Sequence, residues 1–428
     1  MKIAIFGAGS RGDIQPCVVL GKGLQQAGYT VCLAVPENFV DFVCAHGLEV
    51  APLRGDVQAI MAGETGRAFM QTGGGNPLKS IRTIRTLIAP IVMEMTQDLR
   101  AACQDVDALI CLGVFSVFGH AVAEALDMPI LHVEPTPLLP SRAFPAPSWP
   151  LQKGWGGLHN YLSGLAMLGV IWLWYRPFVN DFRRNLGLPK LGAIRAYRTF
   201  RSTPMISAYS PQIIPHPPDW PESVHITGYL FLDDLADWQP PPELAAFLAA
   251  GDAPIYIGFG SMAGQNPEEL ARLVAEALAQ CGQRGVLLTG WGGLRVHDVP
   301  AHVCVVESAP HSWLFPRMAA VVHHGGAGTT AEGVRAGVPT VVVPFVMDQP
   351  FWGARLNALG LGPVPIPIKK LTAQGLAAAI HTAVTDSAMR RRAAACGDAI
   401  RTENGVGNAV QVIRDFLGTP GSENGGNR

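Results

Sequence analysis

Residues 323–349 read HHGGAGTTAEGVRAGVPTVVVPFVMDQ. A buried apolar run ends in glycines and opens a helix through Thr329, Thr330, Ala331 and Glu332. That order leaves backbone N–H groups and the positive end of a helix dipole facing outward, which suits a diphosphate. A second apolar strand, PTVVVPF, follows at once and delivers Asp348 and Gln349 to the same end of a parallel sheet. One edge can then hold phosphates while the other holds sugar hydroxyls. Adjacent strand residues point to opposite faces, so of His323 and His324 one belongs to the core and the other can donate to phosphate. No third ligand stands at metal spacing. Glu332 either complements the helix dipole or accepts ribose hydroxyls, and Asp348 with Gln349 either cap the next helix or bind a hexose.

A second glycine turn lies near the start. Gly7, Gly9 and Gly12 form G-x-G-x-x-G, the pattern of a dinucleotide-binding turn. Pro16 reads as a first-turn helical residue, which would leave a long loop over Ala8–Gln15, and Glu37 comes only after Pro36 rather than ending the second strand. Both features count against a dehydrogenase. Within this loop Asp13 is either a helix cap or a carboxylate at the mouth of a cleft, opposite the phosphate turn. Gly258, Phe259, Gly260, Ser261 and Met262 make another small-residue turn, where the Ser261 hydroxyl and backbone amides can meet a phosphate. Asp105-Val106-Asp107 matches the D-x-D of metal-dependent sugar transferases but precedes a strand far from the phosphate turn. It reads as a surface turn, and no obligatory metal or other cofactor is expected.

Apolar strands alternate with helical patterns through both halves, which implies an α/β protein with parallel sheets. Strands are expected at Lys2 to Phe6, Thr30 to Val35, Ala108 to Leu112 and Pro129 to Val133, then at Ile255 to Phe259, Gly285 to Leu288, Val303 to Val306, Ala320 to His323 and Thr340 to Val343. Helices are expected at Pro16 to Ala27, Phe39 to His46, Val117 to Leu126, Pro267 to Gln280, Thr329 to Ala336 and Phe351 to Leu359. The run Pro240, Pro241, Pro242 marks a linker. The expected organisation is a first lobe over 1–235 that binds an acceptor, a linker over 236–253, and a second lobe over 254–417 whose last helix can return to the first. A flexible tail over 418–428 completes it.

Lys plus Arg (32) nearly cancels Asp plus Glu (33), which gives no electrostatic reason for a nucleic-acid partner. Eight scattered cysteines without C-x-x-C read as free thiols of a reducing cytoplasm. MKIAIFGAGS breaks into glycine too soon for a secretory signal and reads as a first strand. The longest apolar stretch, Leu162 to Trp174, has 13 residues against the roughly 20 needed to span a bilayer. Together with Phe144, Trp149, Trp155, Trp172, Tyr175 and Phe178 it can line a pocket for a flat hydrophobic alcohol, or rest on a membrane surface where such acceptors dissolve.

HHGGAGTTAEGVRAGVPTVVVPFVMDQPFWGARL resembles the nucleotide-sugar signature of UDP-sugar-dependent glycosyltransferases of the two-lobed GT-B fold. GSRGDIQPCVVLGKGL, PLLPSRAFPAPSW, SPQIIPHPPDWPESVHITGYLFLD and TGWGGL are similar to the sterol glucosyltransferase branch. The resemblance implies two Rossmann-like parallel-sheet lobes with Asp13 as catalytic base. It implies Gly12, Ser261, His324, Gly326, Gly328 and Thr329 on the donor diphosphate, Ser308 and Ala309 on the uracil and Glu332 on the ribose. Asp348 and Gln349 fall on the sugar, and Phe144, Trp149 and Trp172 in the acceptor pocket. Plant relatives carry tryptophan where Ser308 stands and glutamine where His311 stands, so the base stack passes to Trp291 or Trp313. The implied reaction is inverting transfer of a hexose, glucose from UDP-glucose, to a sterol or other terpenoid hydroxyl, giving a β-glycoside. Polyketide, macrolide, carotenoid or flavonoid acceptors are the alternatives, followed by a sugar-nucleotide epimerase and a non-catalytic nucleotide-sugar-binding protein.

Overall fold

The structure is a computed structural model that describes residues 1–55, 91–147, 156–233, 238–260, 267–289 and 299–419. The chain divides into two compact units. The first combines Met1–Ala146 and Gly154–Leu232 with the chain from Asn404, and the second is chiefly Asp233–Glu403.

Seven parallel strands build the sheet of the first unit: β1 (Lys2–Phe6), β2 (Thr30–Pro36), β3 (Glu49–Leu53), β4 (Ala108–Leu112), β5 (Ile130–Glu134), β6 (Met205–Ser207) and β7 (Val224–Ile226). Their order is β3-β2-β1-β4-β5-β6-β7. Every residue of β4 is buried, as a strand covered on both faces requires. Helices α1 (Arg11–Gln26), α2 (Val40–Ala45), α3 (Ser116–Leu126), α4 (Gly156–Asn185) and α5 (Ala193–Ser202) belong to this unit. One core layer joins Ile3, Ile5, Leu131 and Val133 to Ile14 and Leu20 of α1. The other joins Ala4, Phe6, Leu109 and Cys111 to Phe118 of α3 and to Phe178 and Phe182 of α4. Strands run off in opposite directions from β1 and β4, so a crevice opens at the carboxyl ends of that pair.

The second unit repeats this plan with five parallel strands, β8 (Ile255–Gly258), β9 (Gly285–Leu288), β10 (Val303–Val306), β11 (Ala320–His323) and β12 (Thr340–Val342), ordered β10-β9-β8-β11-β12. Its helices are α6 (Pro242–Ala249), α7 (Pro267–Gln280), α8 (His311–Leu314), α9 (Ala327–Ala336), α10 (Gln349–Ala358), α11 (Ala373–Thr385) and α12 (Ser387–Arg401). Leu270, Val274 and Leu278 of α7 and Leu376 and Ile380 of α11 cover one sheet face. The strand order reverses between β8 and β11. A last helix, α13 (Gly405–Leu417), belongs to the first unit, where Ala409, Val410, Ile413 and Leu417 join the α1 core layer.

The expected strands fall within a residue or two of those observed, but several helical expectations change. α1 starts at Arg11, not Pro16, with Ser10 as its extended N-cap residue (φ −94°, ψ 176°) and Pro16 inside the helix. A proline there removes one helical donor, and the helix continues through it. The helix therefore does open within the glycine motif, and the argument against a dinucleotide turn from a late helix start fails; the position of Glu37, beyond the end of β2, is as expected. Inside the expected linker, Pro242 is the first residue of α6 and Leu244 is buried, because a fixed φ suits the first helical position. The 13-residue apolar stretch is the middle of a 30-residue helix, α4. Among the described residues it is the one helix long and apolar enough to cross a membrane by length and composition, with 28% of its most apolar 18-residue window buried.

Gly23 of α1 meets α13 closely: a Cβ there would lie 2.4 Å from Val406 Cγ1 and 3.3 Å from Val410 Cγ2. Alanine is favoured over glycine within a helix by about 1 kcal/mol, whereas overpacking costs about 1–3 kcal/mol. Gly23→Ala should therefore destabilise the parent protein yet stabilise a Val406→Ala background. Chemical denaturation of the four variants of that cycle measures the reversal.

Candidate functional site

At the carboxyl end of β11 the backbone turns sharply into α9. Gly325 has φ +92°, and a Cβ there would meet Val342 Cγ1 at 2.7 Å, so only glycine fits. Gly326 is the N-cap residue, and no side chain caps the helix. The first i→i−4 bond runs from Thr330 N–H to the Gly326 carbonyl, leaving the amides of Ala327, Gly328 and Thr329 ahead of it. A Cβ on Gly328 would meet no atom of the described residues within 4 Å. α9 begins two residues earlier than expected, which brings Gly328 and Thr329 into its first turn.

The paired histidines divide as strand alternation requires. His323 is fully buried, and its Nδ1 accepts the Gly325 N–H at 2.9 Å, which fixes the tautomer. Burial drives its pKa well below the usual histidine value. His324 stands at the turn, half-buried, with Nδ1 unpartnered and Nε2 against Gly326, where a Cβ would approach to 2.6 Å. Burial pulls His324 down to about 4, so at neutral pH it is an uncharged imidazole able to donate one N–H.

Glu332 lies on α9, almost buried, with Arg335 Nη1 at 3.9 Å; Arg335 itself is held bidentately by Asp233 at 2.6 Å on both arms. Burial raises Glu332 to about 7, against the opposing pull of Arg335. Asp348 precedes α10 without capping it; its Oδ2 accepts the Trp352 indole N–H at 2.9 Å. Gln349 is buried, and its Oε1 accepts the Phe345 and Val346 amides at 2.8 and 3.1 Å, so its carbonyl braces the loop. Ser308 is exposed and Ala309 half-buried beyond β10. Trp313 carries the Arg317 guanidinium over one face at 4.2 Å and meets Trp238, tilted, at 4.8 Å. Ser261, Trp291 and Trp149 lie outside the described residues.

The turn of the first unit is built differently. Asp13, the third residue of α1, reaches back so that Oδ2 accepts the Ser10 amide at 2.7 Å and the Ser10 hydroxyl at 3.0 Å. Gly9, at φ +134°, makes room: a Cβ there would lie 2.4 Å from Asp13 Oδ2. Asp13 is thus the third residue of α1 and a brace of its first turn, not the N-cap of a helix after Pro16, and its half-exposed carboxylate stands at the carboxyl edge of the sheet. Gly12 is exposed in the same first turn. Asp107, by contrast, sits at the amino end of β4 and accepts the Lys2 amide at 2.7 Å, so the D-x-D stands at the opposite edge of its sheet from the glycine turn that follows β1.

Phe144 packs edge-on against Trp220 at 5.9 Å, and its segment lies along the first turns of α4, where Asn160 Nδ2 donates to the Arg142 carbonyl and a Cβ on Gly164 would strike Pro140. Trp172 packs into the core layer of α3 and α4, about 12 Å further along the helix than Gly164. The two aromatics share a helix but line different stretches of it. Sequence reasoning missed Glu134, which ends β5 fully buried, two residues after the buried His132. An acid closing a parallel strand was the available signal.

Residues 3–145 match the model of the glycosyltransferase family 28 N-terminal domain, and residues 287–406 match that of the erythromycin biosynthesis protein CIII-like C-terminal domain. An O-mycaminosyltylonolide 6-deoxyallosyltransferase of Streptomyces fradiae is 37% identical over 98% of this chain and 98% of its own length. The chain belongs to the GT-B glycosyltransferases. A sterol 3-beta-glucosyltransferase of Arabidopsis thaliana is 38% identical to this glycosyltransferase over 97% of the chain, which spans 66% of that relative. Among solved structures, the calicheamicin glycosyltransferase CalG4 superposes with a TM-score of 0.73 at 19% identity, covering 98% of this chain and 99% of that one. The glycosyltransferase VinC, solved in complex with dTDP, gives 0.63 at 18% identity over 97% and 99%.

In this glycosyltransferase the second unit gathers His324, Gly326, Gly328 and Thr329 around one helix terminus, with Glu332 a turn behind. Ionised Glu332 is disfavoured in the folded state. Below about pH 4.5 it is protonated folded or unfolded and has no effect, and above about 7 the whole cost of holding it ionised is present. The stability gained by Glu332→Gln should therefore grow between pH 5 and pH 8, by on the order of 3 kcal/mol at most. Urea denaturation of ligand-free protein at both pH values tests this; a pH-independent difference would show Glu332 ionised throughout.

Proposed function

We propose that this glycosyltransferase moves a hexose, glucose from UDP-glucose by preference, to the hydroxyl of a flat hydrophobic alcohol of the sterol or terpenoid type, with inversion at the sugar carbon. The N-terminus of α9, with no side-chain cap among the described residues and opening just past His323 and His324, carries this reading. Three outward amides and the neutral His324 N–H suit a diphosphate, which becomes more negative as the sugar leaves. Asp13 takes the proton of the acceptor hydroxyl as its oxygen bonds to the anomeric carbon, and the electrons of the breaking bond pass to the departing nucleoside diphosphate. One displacement turns an α-linked donor into a β-glycoside. Stabilisation of the leaving group is thereby assigned to amides and an imidazole instead of a cation.

Relatives named as sterol 3-beta-glucosyltransferases support the acceptor class, and the dTDP-bound neighbour supports a nucleotide-sugar donor. A macrolide-type acceptor is the second reading, favoured by the Streptomyces relative that this chain matches over nearly its full length. The first unit also offers a place where an apolar acceptor is met. Leu158, Leu162, Val170 and Leu173 are exposed on α4 within an arc of roughly 120°. Arg176, Arg184 and Lys190 follow along the chain, a pairing of apolar face and basic flank suited to an anionic bilayer surface.

Two outcomes follow. Asp13→Asn should lower turnover at least about a hundredfold while UDP affinity, read by calorimetry, is kept; transfer at the parental rate would remove Asp13 as the base. Leu162→Glu with Leu173→Glu should abolish co-sedimentation with phosphatidylglycerol vesicles, and undiminished sedimentation would remove the membrane contact.

A further inference from the structure

The segment that leaves the carboxyl end of β5, residues 135–146, lies outside every strand and helix. Pro135, Pro137, Pro140 and Pro145 remove backbone donors from it, so it cannot hold itself by a ladder. Its course is set by side chains from elsewhere in the first unit. Asp219, between β6 and β7, supplies two of the contacts: Oδ1 accepts the Ser141 hydroxyl at 3.0 Å and Oδ2 accepts the Arg142 amide at 2.8 Å. Ser141 Oγ in turn accepts the Ala143 amide at 3.0 Å. The neighbouring Trp220 donates its indole N–H to the Pro140 carbonyl at 3.2 Å and meets Phe144 edge-on. From α4, Ser163 Oγ accepts the Ala146 amide at 2.9 Å. Asp219 is itself tied to α5, where Arg201 Nη2 donates to its carbonyl at 3.4 Å.

Ser141, Ser163 and Trp220 are all buried, so a donor or acceptor that loses its partner here does not regain one from water. A carboxylate has two oxygens for the two separate donors of Ser141 and Arg142. An amide in its place has one, and an alanine none. One side chain thus fixes the start of the stretch that carries Phe144 and seats it on the first turns of α4. The stretch stands at the carboxyl edge of the first sheet, where open parallel sheets receive their ligands, and a loop held rigidly at such an edge discriminates between ligands by its shape.

We propose that Asp219 is a positioning residue for acceptor recognition: it locks residues 140–146 against α4 and so sets which alcohol fits. This rests on the reading of the first unit as the one that binds the acceptor. Asp219 acts through the segment, and no bond to it is made or broken in the transfer step.

Arg142 is exposed inside the braced stretch, so trypsin reports the brace on the full chain with no acceptor present. Cleavage of the Arg142–Ala143 bond, followed by mass spectrometry, should be at least about tenfold faster in Asp219→Ala than in the parent, with Asp219→Asn between them. Unchanged cleavage in Asp219→Ala would overturn the brace. With an alcohol that supports turnover, the acceptor KM of Asp219→Ala should rise at least about tenfold, while UDP affinity by calorimetry and kcat at saturating acceptor stay within about twofold. A faster cut with an unmoved acceptor KM, or with UDP affinity lost as well, would overturn the role in recognition. If Asp219→Ala folds poorly, Ser141→Ala removes one of the same bonds and should move both readouts the same way by less; no movement in it is the same refutation. Absence of turnover with every sterol and macrolide alcohol would sink the proposed function and the recognition role with it, and the cleavage arm would still decide the brace.

Discussion

Amide hydrogens at the start of a helix must find acceptors, and where the protein supplies none a ligand can. Each unit places a helix start at the carboxyl edge of a parallel sheet, beside the strand pair where the order reverses. At α1 the need is met internally: Asp13 turns back onto Ser10. At α9 the N-cap residue is a glycine, and among the described residues no side chain caps the terminus. The same strand–glycine–helix unit is thus used twice with opposite results, one terminus carrying its own anion and the other ready for a foreign one. The proposed place for the diphosphate, in the second unit, rests on that contrast more than on any motif.

The glycines serve the contrast by standing where a methyl group would collide. Gly9 lets the Asp13 carboxylate lie against the backbone, and Gly325 and Gly326 bring β11 into α9 past Val342 and the His324 ring. Burial then sets the chemistry. His324 is lowered to about 4, Glu332 is raised to about 7, and the Glu134 carboxyl is pushed well above its usual range, each through loss of water more than through partner charges.

Much of this was legible from residue order alone. Parallel strands buried on both faces read as unbroken apolar runs, so β1, β4, β9, β10 and β11 could be placed to the residue or nearly so. Proline was the misleading signal, because Pro16 lies inside a helix that had already begun and Pro242 starts one inside an expected linker. The length of α4 was hidden by the polar residues that flank its apolar middle. Local polarity reports exposure, and a helix that is half exposed keeps its hydrogen bonds regardless. Glu134 escaped notice for the opposite reason: its burial comes from neighbours distant in sequence, which no local pattern contains.

The return of α13 to the first unit makes that unit discontinuous. Asn404 caps the helix through Gly407, Asn408 reaches the Thr227 carbonyl, and the Tyr29 hydroxyl donates to the carbonyl of Gly418. A chimera that trades acceptor preference between relatives by splicing at the middle of the chain would part α1 from the helix that seals it. Domain exchange in this architecture is a two-cut operation, and the closing segment has to travel with the amino-terminal half.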